Sequence, residues 1–323
     1  MESKSIIQAS GNITKEVCLI DINQYNFPRI SSIFILKTPK SVLIMDTGTS
    51  KDVKTLLKFL YDQSIPLRKI MYLVPSHYHF DHFGGGWKLW QEIKKYNPEV
   101  KVLTTENTKK KLQDPSLHMF RVKRTFGDSV GVMNPLPEEA YEIIDLNETI
   151  QIPGLQRQKK FKLLSTPGHT PDHVSPTLYE NGNVKFSFNA ESAGTLAHSS
   201  KLVTLPTSMP PEFNFHKYIE SLKEIIELKP FNVGYGHFGA VVGQKSVLKV
   251  LNEHYEFSYW FKEFVRKKFN EGGSKTQYIV EQFLADEFKK RTEIEHQYNK
   301  LFIKTIVALI YGQLVDLGLK QPK

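Results

Sequence analysis

Ser76-His77-Tyr78-His79-Phe80-Asp81-His82-Phe83-Gly84-Gly85 packs three imidazoles and one carboxylate into the six residues 77–82. It follows an apolar run, Ile70-Met71-Tyr72-Leu73-Val74, and runs into a glycine cluster. A buried strand that ends in such a loop can aim several side chains at one point. Imidazole and carboxylate are the ligand types that borderline and hard divalent cations take.

Moving outward, three more segments repeat the arrangement. Ser165-Thr166-Pro167-Gly168-His169-Thr170-Pro171-Asp172-His173 follows the apolar run 161–164, and its Pro and Gly fix a tight loop that presents His169. Phe188-Asn189-Ala190-Glu191 sets a carboxylate at the end of the run 184–188. Gly236-His237-Phe238-Gly239 follows a short strand expected at 231–233. Each places a ligand-type residue at the exit of an expected strand. Such residues converge when neighbouring strands end at one edge of a sheet.

The remaining pattern predicts layers of strand and helix. Residues 17–20, 32–36, 41–45, 70–74 and 101–104 are rich in β-branched and aliphatic side chains. Residues 51–62 and 84–96 carry helical periodicity, so strand and helix alternate as in an α/β fold. A basic helix around Lys109-Lys110-Lys111 opens a loop-rich insertion over 105–140, the kind of segment that shapes a substrate pocket. Residues 141–189 read as a β meander with strands at 141–144, 149–152, 161–164 and 184–188, the last preceded by the hairpin signal Asn181-Gly182-Asn183. A helix is expected over 213–228. From residue 244 helical patterns dominate, at 244–270, 276–290 and 294–318. The expected organisation is a catalytic domain over 1–243 and a helical domain or extension over 244–323.

The chain has 323 residues, 40% of them apolar, enough for one large α/β core with an appendage. Net charge is +9 and the pI about 9.2, which keeps acidic substrates and nucleic acid open as partners. The single cysteine, Cys18, sits among Val17, Leu19 and Ile20 and reads as a buried small hydrophobe in a reducing compartment. No apolar leader opens the chain and no run reaches the roughly 18 apolar residues of a membrane span. The expectation is a cytoplasmic protein with no membrane partner. Over 246–323 there are 13 basic and 10 acidic residues, with dense basic runs at Arg266-Lys267-Lys268 and Lys289-Lys290-Arg291. They read as solvated helix faces with i,i+4 pairs before they read as a phosphate-binding surface. The apolar run 301–311 predicts a buried helix, packed on the core or in a homodimer interface.

The order His-x-His-x-Asp-His, Thr-Pro-Gly-His-Thr, strand-end acid and Gly-His resembles the metallo-β-lactamase-fold hydrolases over about residues 15–242, and Asp46-Thr47-Gly48 is similar to their early Asp-Thr-Gly turn. The resemblance implies an αββα sandwich of two mixed sheets back to back with helices outside. It implies one divalent metal on His77, His79 and His169, a second on Asp81, His82 and His237, and Glu191 bridging both. Zinc is expected, with iron or manganese as alternatives. Asp46 would support the metal loop from behind, and Asp81 would double as proton acceptor. A metal-bridging hydroxide would attack a small ester, thioester or lactone.

Two features depart from the common pattern. The bridging acid is usually Asp, and Glu191 is similar to that of alkylsulfatase-like members. The Tyr that lactonase-like members carry after it is replaced by Ser192-Ala193-Gly194. Rival readings are a β-lactamase-like ribonuclease or phosphodiesterase using the basic tail, a sulfatase-like hydrolase, and a di-iron redox protein; against the last, His79 stands where those relatives carry Glu. His118, His198, His216, His254 and His296 read as structural or surface residues, with His173 the strongest remaining candidate for a pocket role. Trp87 reads as core.

Overall fold

The structure, a computed structural model, describes residues 5–294 and 299–322; His296 lies outside them. The strands in chain order are β1 (Ile6–Ile7), β2 (Gly11–Asn12), β3 (Val17–Asp21), β4 (Ser32–Lys37), β5 (Val42–Met45), β6 (Ile70–Val74) and β7 (Lys101–Thr104). They continue as β8 (Tyr141–Ile143), β9 (Lys159–Ser165), β10 (Val174–Glu180), β11 (Asn183–Ala190), β12 (Asn232–Tyr235) and β13 (Gly239–Val242). One sheet runs β2-β3-β4-β5-β6-β7-β8 and the other β1-β13-β12-β11-β10-β9. Both are mixed: β5 to β8 pair in parallel, and so do β11 and β12.

Period-two alternation sorts the side chains into layers. Phe34, Leu36, Leu43 and Met45 point between the sheets, where they meet Leu163, Phe186 and Phe188. Their neighbours Ile33, Ile35, Val42 and Ile44 point outward and are covered by α1 (Val53–Asp62) and, after the short α2 (Phe80–Phe83), by α3 (Gly86–Lys94). A sheet buried on both faces explains why these strands read as continuous apolar runs. Cys18 lies buried in β3, as expected.

Three expectations are corrected. The segment 105–140 is not mainly loop: it holds α4 (Glu106–Gln113) and α5 (Ser116–Phe126). Thr105 caps α4 by accepting from the Thr108 N–H, and Pro115 separates the two helices. Residues 141–189 are not one meander. β8 pairs with β7 in the first sheet, whereas β9, β10 and β11 form the second. Residues 149–152 form no strand, only an isolated bridge from Ile150 to Phe161.

The outer face of the second sheet is covered by α6 (Phe215–Glu227) and the first half of the 28-residue α7 (Gln244–Glu271), through Leu222, Ile225, Val247 and Leu251 against Val233, Tyr235 and Val241. This completes an αββα sandwich. The second half of α7 packs with α8 (Thr276–Phe283), the short α9 (Lys289–Arg291) and α10 (Asn299–Asp316) around Phe261, Val265, Phe283, Ile306 and Ile310. This helical layer folds back onto the sandwich. The Ser208 hydroxyl donates to the Leu309 carbonyl at 2.8 Å, and a Cβ at Gly312 would collide with the Ser208 carbonyl oxygen. Among the described residues no helix is long and apolar enough to cross a membrane.

Candidate metal centre

Strand ends deliver the site. β5 ends at Met45 and hands over to Asp46; β6 ends at Val74, two residues before Ser76-His77; β9 leads to His169, β11 to Glu191 and β12 to His237. The Asp46 N–H donates to the Val74 carbonyl at 3.0 Å and the Gly236 N–H to the Ala190 carbonyl at 2.9 Å, so paired strands release their ligands side by side. Asp46 and Ala190 both take left-handed backbone angles, φ 62° and 43°. Non-glycine residues persist there only when their surroundings over-determine them. Gly236 is required by crowding, since a Cβ there would lie 2.6 Å from the His82 ring.

Two clusters result. His77, His79, His169 and Glu191 offer ligand atoms all within 4.8 Å of one another, and so do Asp81, His82 and His237. Glu191 lies between them. Its Oε2 is 2.7 Å from His169 Nε2, 3.3 Å from His82 Nε2 and 3.4 Å from His77 Nε2, while its Oε1 is 3.7 Å from His237 Nε2. Asp81 Oδ2 stands 3.6 Å from His237 Nε2 and 4.0 Å from His82 Nε2.

The surroundings fix which ring nitrogens carry protons. Asp46 Oδ2 accepts from His82 Nδ1 at 2.9 Å and from the Ser76 hydroxyl at 2.8 Å, and its Oδ1 accepts from the Ser76 N–H at 2.7 Å. With its own proton given to Asp46, Ser76 Oγ accepts from His77 Nδ1 at 3.0 Å. His169 Nδ1 donates to the Thr207 carbonyl at 2.6 Å and His237 Nδ1 to the Ile30 carbonyl at 3.0 Å. All four rings therefore turn an Nε2 lone pair inward, toward a carboxylate that can only accept.

Ring nitrogens crowd together there: His82 Nε2 lies 3.3 Å from His237 Nε2, and His169 Nε2 lies 3.2 Å from His79 Nδ1. His77 Nε2 is buried with no hydrogen-bond partner. Such a convergence of acceptors is stable only around positive charge, and a divalent cation supplies it. The residues present fit a metal.

Electrostatics agree at His77, His79 and Glu191. Burial, followed by the neighbouring imidazoles, holds His77 and His79 well below the usual imidazole range, the neutral form a metal requires. Burial opposes charge on Glu191 too, but His169, His77 and His82 hold its carboxyl well below the ordinary range. His82 runs the other way: burial opposes its charge, but Asp81, Asp46 and Glu191 prevail and push it up, favouring a second ring proton that a cation would have to displace.

A family model described as Metallo-beta-lactamase superfamily matches residues 26–237. The chain belongs to the metallo-β-lactamase superfamily. It is similar to the Metallo-beta-lactamase fold-containing protein ST1585 of Sulfurisphaera tokodaii, 29% identical over 239 residues, which are 71% of this chain and 78% of that protein. The crystal structure of ST1585 from Sulfolobus tokodaii has a TM-score of 0.65 at 25% identity, covering 93% of this chain and 98% of that one. A Caenorhabditis elegans protein named Beta-lactamase-like protein 2 homolog is 22% identical over 241 residues, 70% of this chain and 66% of that protein. The family protein TTHA1429 from Thermus thermophilus shares the fold, with a TM-score of 0.62 at 14% identity and coverage of 95% and 94%. Members of the superfamily are hydrolases, and this chain is one of its enzymes with candidate residues for divalent metal.

The superfamily motifs account for seven ligand-type residues but not for what holds them. His173 lies behind the ligands rather than in a pocket: it stacks on His77 with ring centroids 5.1 Å apart, and its Nε2 accepts from the Glu191 N–H at 3.4 Å. His118 stacks on His79 at 5.2 Å with planes 5° apart, accepts from the Phe80 N–H at 3.1 Å, and is lowered to about 4 chiefly by burial. Thr207 and Tyr218 donate hydroxyls to the Glu191 carbonyl at 2.9 and 3.2 Å, and Tyr218 meets His254 Nε2 at 2.7 Å. No sequence signal marks His118 or His254, because their partners lie 39 and 36 residues away along the chain. His198 is buried, His216 lies on α6 beside Glu220, and Trp87 packs at the edge of the first core.

Proposed function

We propose that this chain is a dinuclear metal-dependent hydrolase of small esters, thioesters or lactones. The observation that carries the reading is the forced tautomers: with four Nδ1 protons committed outward, seven ligand-type residues present acceptors to two adjacent points. His77, His79 and His169 would hold one cation, Asp81, His82 and His237 the other, with the Glu191 carboxylate reaching both. Three nitrogens and an oxygen suit zinc, with iron or manganese next. Two cations bound there would bring the pKa of a shared water toward neutrality and polarise the substrate's electrophile.

The protein's own groups do the rest. Asp81, one-fifth exposed at its side chain, stands on the cavity floor where it can accept a proton from entering water. Hydrogen bonds that the imidazoles donate to the Asp46 carboxylate and the Thr207 and Ile30 carbonyls keep them aimed. The basic runs of the tail favour a small-molecule substrate over RNA. Arg266 pairs with Glu263, Lys267 and Lys268 with Glu271, Lys290 with Glu287, and Arg291 with Glu287 and Glu253. A lone buried cysteine supports a reducing, cytoplasmic setting.

Elemental analysis of the purified protein should find about two metal equivalents, as a two-metal site requires. His77→Ala combined with His79→Ala should lose metal and hydrolysis of an ester and thioester panel together. Retained turnover in that variant would sink the assignment.

A further inference from the structure

A cavity of about 700 Å³ stands over the centre, with His79, Asp81, Glu191 and His237 in its lining. That is room for a substrate well beyond a small lactone. Its walls are of two kinds. Leu205, Met209, Phe302, Ile306 and Leu309, from the 205–211 segment and α10, form an apolar wall. To the same cavity α4 and α5 contribute Lys110, Lys111, Arg121 and Arg124, and Lys304 joins from α10. Lys111 is tied to Glu212 at 2.6 Å. Among the described residues, no carboxylate lies within ion-pair distance of Lys110, Arg121, Arg124 or Lys304, and all four are exposed. Apart from Asp81 and Glu191, Asp114 is the acid in the lining, and it is engaged by Ser116.

Unpaired cations in a mouth attract anions, and an apolar wall favours an alkyl chain. A polynucleotide would leave the apolar wall unused; a small neutral ester would use neither feature. We propose that the substrate is an anionic amphiphile: an acyl thioester or ester whose alkyl chain lies along α10 and whose thiol or alcohol half carries phosphate-type charge held by Lys110, Arg121, Arg124 and Lys304. This rests on the hydrolytic reading of the metal centre. In the reaction a water oxygen bonds to the acyl carbon and the C–S or C–O bond breaks. One water proton ends on the departing sulfur or oxygen, and the other is released as the carboxylic acid ionises.

The test uses full-length, metal-loaded protein and acyl-coenzyme A thioesters from C2 to C16, beside N-acetylcysteamine thioesters of the same chains. kcat/KM should rise by about fourfold per added methylene until the wall is filled. The charged series should exceed the neutral one, with an advantage that shrinks as salt rises. Lys110→Glu with Arg121→Glu, both at exposed positions, should raise KM for the charged series by about tenfold more than for the neutral series. Val307→Asp, at a cavity-lining position that is 41% exposed, should flatten the chain-length dependence. Rates indifferent to both chain length and head charge would overturn the proposal while leaving the hydrolase reading intact. Faster cleavage of RNA than of any thioester would overturn it as well. Chain-length-dependent binding of S-alkyl coenzyme A thioethers without turnover of the thioesters would uphold the ligand class and overturn the hydrolytic reading instead.

Discussion

The floor and the walls of this cavity are made by opposite means. Floor residues leave the ends of central strands, are buried except for the part-exposed Asp81 and His237, and have ring protons assigned by fixed acceptors such as Asp46, Thr207 and Ile30. Wall residues sit mostly on helices added outside the sheets, in α4, α5 and α10, with the 205–211 segment beside them, and many of the charged ones are exposed. A two-sheet core is rigid because side chains interdigitate on both faces, so it can hold ligand atoms to fractions of an ångström. Helices laid over its edge can change composition without disturbing that geometry. On the proposed reading, reaction type and substrate choice are carried by separate layers.

If that division is sound, damage to one layer should not spread to the other. The largest expected effect is in the wall's support. Ile310 is fully buried among the tail helices, and Ile310→Ala should cost about 2–5 kcal/mol, read by denaturant or thermal unfolding. Metal content of the folded fraction should stay near wild type; its loss would mean that floor and wall are not separable.

Next comes Asp46→Ala, which frees Ser76 and removes the acceptor for His82 Nδ1. Metal affinity should fall by about 10- to 100-fold, measured by chelator competition, with a parallel fall in rate and little change in chain-length preference. An altered preference would show that the floor also selects substrate.

The smallest effect tests where the layers meet, at Asp172, whose carbonyl accepts from the Thr108 hydroxyl of α4 at 3.4 Å. Burial pushes its carboxyl up to about 6. Between its unfolded value and that figure the folded state binds the extra proton. Its contribution is therefore full below about pH 4 and is lost as pH rises through 6. Asp172→Asn should match wild-type stability near pH 4 and exceed it by about 1–2 kcal/mol at pH 7.5. Equal stability at both values would show that Asp172 is not protonated preferentially in the fold.

The strands that failed to announce themselves did so for different reasons. β10 carries Pro176 and faces its neighbours with hydroxyls rather than methyls: Thr177 meets Ser187 at 3.0 Å, and Ser175 meets Thr166 at 3.0 Å and Ser192 at 3.2 Å. Polar residues whose partners lie largely on segments distant in the chain look like loop in a linear reading. β13 is short and opens with Gly239. The split of 141–189 between two sheets was equally hidden, because nothing local distinguishes which sheet edge a strand joins.

By itself, the sequence marked the candidate metal-binding residues, the strand exits that carry them, the strand–helix alternation of the first sheet and the helical tail. All of these are local: an imidazole spacing, short aliphatic and β-branched runs, a period of 3.6. Only the tertiary structure decided which carbonyls fix the imidazole protons, that His118 and His173 stack on the ligand rings, and that α5 and α10 line one cavity. Those depend on chain closure over tens to hundreds of residues, where packing of both sheets and the helical layer sets the distances and no single segment encodes them.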